Sequence, residues 1–399
     1  MAGLLGLAWG LAAACGGSSG PANPTVAPTS PAPSPLASAA ATATATATPD
    51  TLGPRPQTAD DAIKALSRFL AASPGELCPA RLKLEWETVC VEGEVDGDGK
   101  KDAAYLLPLN GRDGRGPSPA VVLVRRAAAS VLDAFEPDGT ADAGDQGKGV
   151  FALADRTGGG RHELTFLASV CGASNCNVRV EVHSWDGTAW RGIGPGDSFA
   201  NPDLISVTGT GAATRIVVHA GALQTVGAGP PRAALSTYEL KQGRFQLAAS
   251  SPDPLVYFAH AIFDADARFD VADWEGAITA YRSAIADEKL RDWQKDTGTG
   301  DGRKRLTAYA LFRIAVATAA SGDDPRPAIE AVLLEGSEQV FSLAAEEFRR
   351  GFLERGGVAE GCVKANVYLG APDIRAYLEE VFDYGYANPQ RTYRDVCPL

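Results

Sequence analysis

Three stretches of the chain align with one another without a gap: Glu94–Asp102 (EVDGDGKKD), Asp155–Glu163 (DRTGGGRHE) and Ser206–Thr214 (SVTGTGAAT). Each runs straight into a short apolar or β-branched run, such as Arg215–Val218. Glycines at matching places in such a segment supply backbone angles that other residues avoid, so the repeat reads as a turn that launches a strand. Similar runs, Ala120–Val124 and Val178–Val182, lie between Gly-rich turns. Two hairpins carry aromatics on either side of the turn, Trp185 with Trp190 around Asp186-Gly187, and Tyr238 with Phe245 around Gly243. Cross-strand packing uses aromatics placed this way. From about Cys78 to Ser250 the chain therefore reads as all-β. From Pro254 to Leu399 it reads as helical, with the change of period at Ser251–Pro254.

The first repeat carries the chemistry. Glu94, Asp96 and Asp98 alternate, and Asp102 follows four residues on. Alternate side chains of extended or turning backbone share one side, and Gly99 permits the bend that brings the Lys100 carbonyl and Asp102 round. A cage of oxygens is what calcium requires, with six to eight donors at about 2.3–2.6 Å. Four clustered carboxylates repel one another until a cation or protons intervene. Tyr105 stands where an EF-hand needs its bidentate Glu, which argues against that motif. The pattern resembles the loops of FG-GAP and VCBS-type repeats, found in β-propellers; the resemblance implies one calcium ion held between strands by Glu94, Asp96, Asp98, Lys100 and Asp102. The second loop keeps Asp155 and Glu163 but has Gly159 at its centre, and the third has no carboxylate. The expected role of calcium is a brace for one unit, not a catalyst.

Blade-length spacing suggests β-propeller units, yet three blades are too few to close a propeller. Either Cys78–Glu92 contributes further strands, or the repeats form an open, sandwich-like arrangement. A short helix is expected after the Thr58–Asp61 capping box, with Ile63, Leu66, Phe69 and Leu70 on one face. In the helical half, Trp274, Ala277, Ile278, Tyr281, Ala284 and Ile285 form one stripe. This stripe resembles the second helix of a tetratricopeptide unit, with Leu255–Phe269 as its partner. Leu306–Ala320 with Ala328-Ile329, and Phe348–Leu353 with Gly361–Ala365, are weaker copies. The resemblance implies stacked helix pairs whose concave surface takes a protein or peptide partner. Asp264, Asp266 and Asp270 read as a solvated helix face.

At the N-terminus an apolar run, Leu4–Ala14, has the length of a signal-peptide core and is too short to span a bilayer. It ends at Cys15, and the string Leu11–Cys15 resembles a bacterial lipobox, which implies lipidation of Cys15. Residues 15–57 then form a spacer rich in Ala, Pro, Thr and Ser that has no material for a core. The remaining six Cys form an even set, the arithmetic of disulfides in an exported chain. Fifteen pairings are open, and proximity favours Cys78 with Cys90, Cys171 with Cys176, and Cys362 with Cys397.

The expected organisation is multidomain, β then α: signal peptide 1–14, tether 15–57, a short helix plus antiparallel β repeats (propeller-blade-like or sandwich-like) over 58–250, and a tetratricopeptide-like α-hairpin domain over 253–399. A net charge of −12 excludes nucleic-acid binding by phosphate neutralisation. No G-x-S-x-G, H-E-x-x-H or phosphate-binding loop is present, and His162, His183 and His219 read as structural. The expected function is a non-catalytic scaffold, exported and lipid-anchored to the membrane, facing the outside or the periplasm. The alternative is an exported hydrolase or glycan-active protein that uses carboxylates of the β domain.

Overall fold

Period-two burial organises the first half of the protein into three antiparallel sheets. The computed structural model describes residues 53–72, 76–109, 120–126, 132–135, 140–142, 150–172, 175–223, 225–336 and 338–399. The predicted signal peptide, Cys15 and the spacer as far as residue 52 lie outside them. All described residues belong to one compact unit. Within the last residues of the predicted spacer, Pro56 is buried, the Trp86 indole donates to the Gly53 carbonyl at 3.2 Å, and Arg55 pairs with Glu87 at 2.9 Å.

Two helices come first, α1 (Ala59–Ala72) and α2 (Ala80–Trp86). The first sheet is a meander of β1 (Val89–Gly93), β2 (Asp102–Pro108), β3 (Ala120–Arg125) and β4 (Leu132–Phe135). The second contains β5 (Thr140–Asp142), β6 (Ala152–Ala154), β7 (Glu163–Cys171), β8 (Cys176–Trp185), β9 (Trp190–Gly192) and β10 (Phe199–Ala200). Its main path is β10-β8-β7-β5, with β6 on β7 and β9 on β8. The third is a meander of β11 (Leu204–Thr208), β12 (Arg215–Ala220), β13 (Ala234–Lys241) and β14 (Arg244–Pro252).

The sheets stack face to face in series. On one side of the first sheet, Tyr105, Leu107, Val121 and Leu123 pack against Leu66, Phe69, Leu82 and Trp86 of α1 and α2. On its other side, Ala104, Leu106, Val122 and Val124 meet Leu153, Leu164, Phe166 and Trp185 of the second sheet. The opposite face of that sheet, with Leu167, Val180, Val182 and Phe199, meets Val207, Ile216, Val218 and Tyr238 of the third. Burying one such side chain is worth about 1.5–3 kcal/mol, so these interfaces hold the stack together. Double-sided cover also explains β2, buried at every position from Asp102 to Leu107. Cys78–Glu92 supplies one strand and part of the cover. Ala80–Trp86 is helical within a stretch expected to be all-β, because Leu82 and Trp86, four apart, make an apolar stripe for the first sheet.

The C-terminal region is helical: α3 (Phe258–Asp270), α4 (Trp274–Ala286), α5 (Trp293–Thr297), α6 (Gly302–Ala320), α7 (Arg326–Glu335), α8 (Gln339–Arg355), α9 (Val358–Leu369), α10 (Pro372–Val381) and α11 (Tyr393–Val396). Asp273 caps α4 by accepting from the Gly276 N–H at 3.1 Å. Ala277, Tyr281 and Ala284 are buried, and Trp274, Ile278 and Ile285 pack beside them. Helix α6 runs through the middle, with Leu306, Tyr309, Phe312 and Val316 among its fully buried residues.

The connection between β12 and β13 joins the sheets to the helices. Tyr386 and Ala387 donate their N–H groups to the carbonyls of Gly227 (3.0 Å) and Ala228 (3.2 Å), and Arg232 pairs with Asp264 at 2.8 Å. Gly229 sits at φ +88°, where a Cβ would lie 1.6 Å from the Tyr384 carbonyl oxygen. Only glycine fits there.

Candidate metal centre

The three aligned segments adopt one backbone course. Their fourth positions, Gly97, Gly158 and Gly209, have φ of +84°, +79° and +85°, and their sixth, Gly99, Gly160 and Gly211, have +77°, +77° and +56°. The ninth residues, Asp102, Glu163 and Thr214, are buried, at 0%, 1% and 0% exposure. A buried polar side chain needs partners. Asp102 accepts from the Val95 N–H at 2.7 Å, Glu163 from the Arg156 N–H at 2.7 Å, and Thr214 donates to the Arg156 carbonyl at 2.8 Å. The first two turns are thus tied down by the residue that opens the following strand, whereas Thr214 ties the third loop to the second.

In the first loop the carboxylates do not all converge. One oxygen each from Glu94, Asp96 and Asp102 lie within 4.8 Å of one another. Glu94 also accepts from the Gly97 N–H at 2.7 Å, which holds its longer side chain over the turn. Asp98 instead accepts from the Lys100 N–H at 2.8 Å, and its carboxylate lies 3.9 Å from the Lys100 ammonium. The donor set fits calcium in chemistry and span: two oxygens bound to one ion at about 2.3–2.6 Å lie no more than about 5 Å apart. Glu94 and Asp96 are half-buried, so a cation would meet them at the rim, with Asp102 beneath.

The second loop satisfies its acids from within. Glu163 accepts from the Thr157 N–H at 3.1 Å and from its hydroxyl at 2.9 Å, and Asp155 takes the N–H groups of Gly158 and Gly160. Thr157 stands where the first loop has Asp96. The loops also touch in sequence. The His162 N–H donates to the Glu94 carbonyl at 2.5 Å, and Arg156 donates to the Gly209 carbonyl at 3.1 Å. A Cβ on Gly97 would lie 3.0 Å from Arg161 Nε, so a guanidinium flanks the acidic turn. Sequence spacing held no sign of Arg161, which reaches the turn only through the stacking of sheets.

The six Cys of the described region form three disulfides, Cys78–Cys90, Cys171–Cys176 and Cys362–Cys397. Cys15 lies outside the described residues. His183 stacks on Phe166 and pairs with Glu181 at 3.3 Å. His219 bridges Asp203 at 2.6 Å and Asp253 at 2.9 Å; these carboxylates, Asp253 first, raise its pKa above the ordinary imidazole value.

Asp266 overturns the reading of a solvated acidic helix face. It is 0% exposed and accepts from the hydroxyls of Tyr281 and, at 2.8 Å, Tyr309. Arg391 lies 2.8 Å and Arg313 3.5 Å from its carboxylate. Burial pushes the Asp266 carboxyl up, and the two guanidinium groups oppose that shift. The signal was present in the spacing, since Asp266 follows Ile262 by four and precedes Phe269 by three on the buried side of α3.

Among the described residues no helix is long and apolar enough to cross a membrane. Comparison with known proteins finds no matching family model, no matching curated protein and no matching solved structure.

Proposed function

We propose that the chain is a non-catalytic binding scaffold, exported and tethered to the membrane by lipid on Cys15, with FG-GAP-like β repeats braced by one calcium ion. The observation that carries this reading is the gathering of Glu94, Asp96 and Asp102 oxygens within 4.8 Å on a turn whose second copy satisfies its acids by its own hydrogen bonds and whose third copy has no carboxylate. When bound, calcium supplies the positive charge that offsets repulsion among these carboxylates. The protein's part is to hold the oxygens ready: Gly97 orients Glu94, and Val95 fixes Asp102. Three disulfides agree with an oxidising compartment outside the cytosol. The helical region, with α3 and α4 as a tetratricopeptide-like pair, supplies the surface for a protein or peptide partner.

Thermal unfolding in EDTA and in excess calcium tests the brace. A ligand that binds only the folded state adds about 2.7 kcal/mol at a hundredfold excess over its Kd, which raises the midpoint by several degrees. Identical midpoints in the two conditions overturn the brace. Incorporation of labelled palmitate into the native chain, and its loss in Cys15→Ser, tests the tether.

A further inference from the structure

Where the β12–β13 connection meets α5, α6 and α10, the fold encloses a cleft of about 740 Å³, inside the range of small-ligand sites, about 300–1,000 Å³. Tyr257 and Trp293, edge to face at 5.3 Å, give it an apolar wall. Arg305, Glu380 and Asp383 also line it. None of these three is in an ion pair among the described residues; the Arg305 guanidinium lies 5.7 Å from the Tyr377 ring centre, and the Asp383 carboxylate accepts from the Gly385 N–H at 3.2 Å. Opposite charges therefore face one void without neutralising each other. In the same wall, Gln294 is 3% exposed, donates its amide to the Glu380 carbonyl at 3.2 Å, and leaves its own side-chain oxygen without a donor. Buried acceptors in this state are rare and call for an N–H from outside the chain or from water.

Arg305 repels a simple cation, and Glu380 with Asp383 repel a simple anion. A dipolar ligand satisfies both. We propose that this cleft binds a short peptide by its free ends, with the terminal carboxylate on Arg305, the terminal ammonium toward Glu380 and Asp383, and an apolar side chain against Tyr257 and Trp293. A guanidinium suits the carboxylate because it presents parallel donors. The proposal rests on the reading of the chain as a peptide-binding scaffold, and it moves the contact from the helices' concave face to the joint between sheets and helices.

Isothermal titration of the purified chain with Ala-Ala-Phe, its N-acetylated form and its C-amidated form tests the proposal. Hydrogen bonds to charged groups contribute enough that removing either terminal charge should weaken binding about tenfold or more. Arg305→Gln should weaken the free peptide as strongly, yet bind free and amidated peptide alike. Glu380→Gln with Asp383→Asn should abolish discrimination against the acetylated form, and circular dichroism verifies that each variant is folded. If free and blocked peptides bind the native chain equally, or if Arg305→Gln retains full preference for the free carboxylate, the cleft is wrong while the scaffold reading stands. Absence of binding by free and blocked peptides alike at millimolar concentration overturns the cleft as a peptide site and leaves the scaffold reading to the helical surface.

Discussion

Removing the Cys362–Cys397 bridge should destabilise the protein more than removing either of the other two, although the chain end it secures is held by other means. Arg313 donates to the Asp395 carbonyl at 2.6 Å, Asn366 to the Cys397 carbonyl at 2.7 Å, and Arg391 pairs with Asp266 and Asp270 at 2.8 Å. The native position of the tail therefore survives loss of the bridge, and the effect falls on the unfolded chain. Loop-closure entropy for a separation of 35 residues amounts to about 3.8 kcal/mol at 25 °C. Separations of 12 for Cys78–Cys90 and 5 for Cys171–Cys176 give about 2.8 and about 2.1 kcal/mol. Urea unfolding of the three paired Cys→Ala variants, followed by far-UV circular dichroism, should return losses in that order with native spectra unchanged. A loss below about 1 kcal/mol for the 362–397 pair, or the largest loss for the 171–176 pair, would refute the entropic account.

Asp266→Ala removes the buried carboxylate that Arg313 and Arg391 share and leaves the hydroxyls of Tyr281 and Tyr309 without their acceptor, so urea unfolding should show a loss of about 3–5 kcal/mol. Asp264→Ala, which breaks a partly exposed pair with Arg232, should cost less than about 1 kcal/mol; equal losses would contradict the assignment of Asp266 as the buried member. His219 has a folded pKa above its unfolded value near 6.5, so its contribution is complete below that pH and fades as pH rises through the folded value. His219→Gln should therefore flatten the decline of the melting temperature on the alkaline side of pH 6.5, and parallel profiles for variant and native protein would remove Asp203 and Asp253 as its stabilising partners.

Local signals and long-range packing divided unevenly between sequence and structure. The three gap-free segments were visible because their backbone course is local: two glycines at fixed positions and a polar ninth residue define the turn, and all three copies follow it. The β-then-α order was visible for the same reason, since hydrophobic period is a local property. Helix α2 escapes the sequence because Leu82, Leu84 and Trp86 alternate as a strand would, although only Leu82 and Trp86 are buried and Leu84 is exposed. Asp266 was misread because neighbouring acids on a helix look alike in sequence, whereas its buried partners come from α4, α6 and the C-terminal tail. Alternation and the FG-GAP resemblance both group Asp98 with the metal set, whereas the oxygens that gather within 4.8 Å are those of Glu94, Asp96 and Asp102. The cleft had no local signal either, because its walls meet only when the β12–β13 connection reaches α5, α6 and α10.

If the acidic turn of Glu94, Asp96 and Asp102 is a cation site, calorimetric titration of calcium into the metal-free protein registers it directly. The expected isotherm shows one calcium per chain, with affinity sharply reduced in Asp96→Asn, where one charge is removed while shape is kept. Heats indistinguishable from dilution, or a native isotherm in Asp96→Asn, would contradict it.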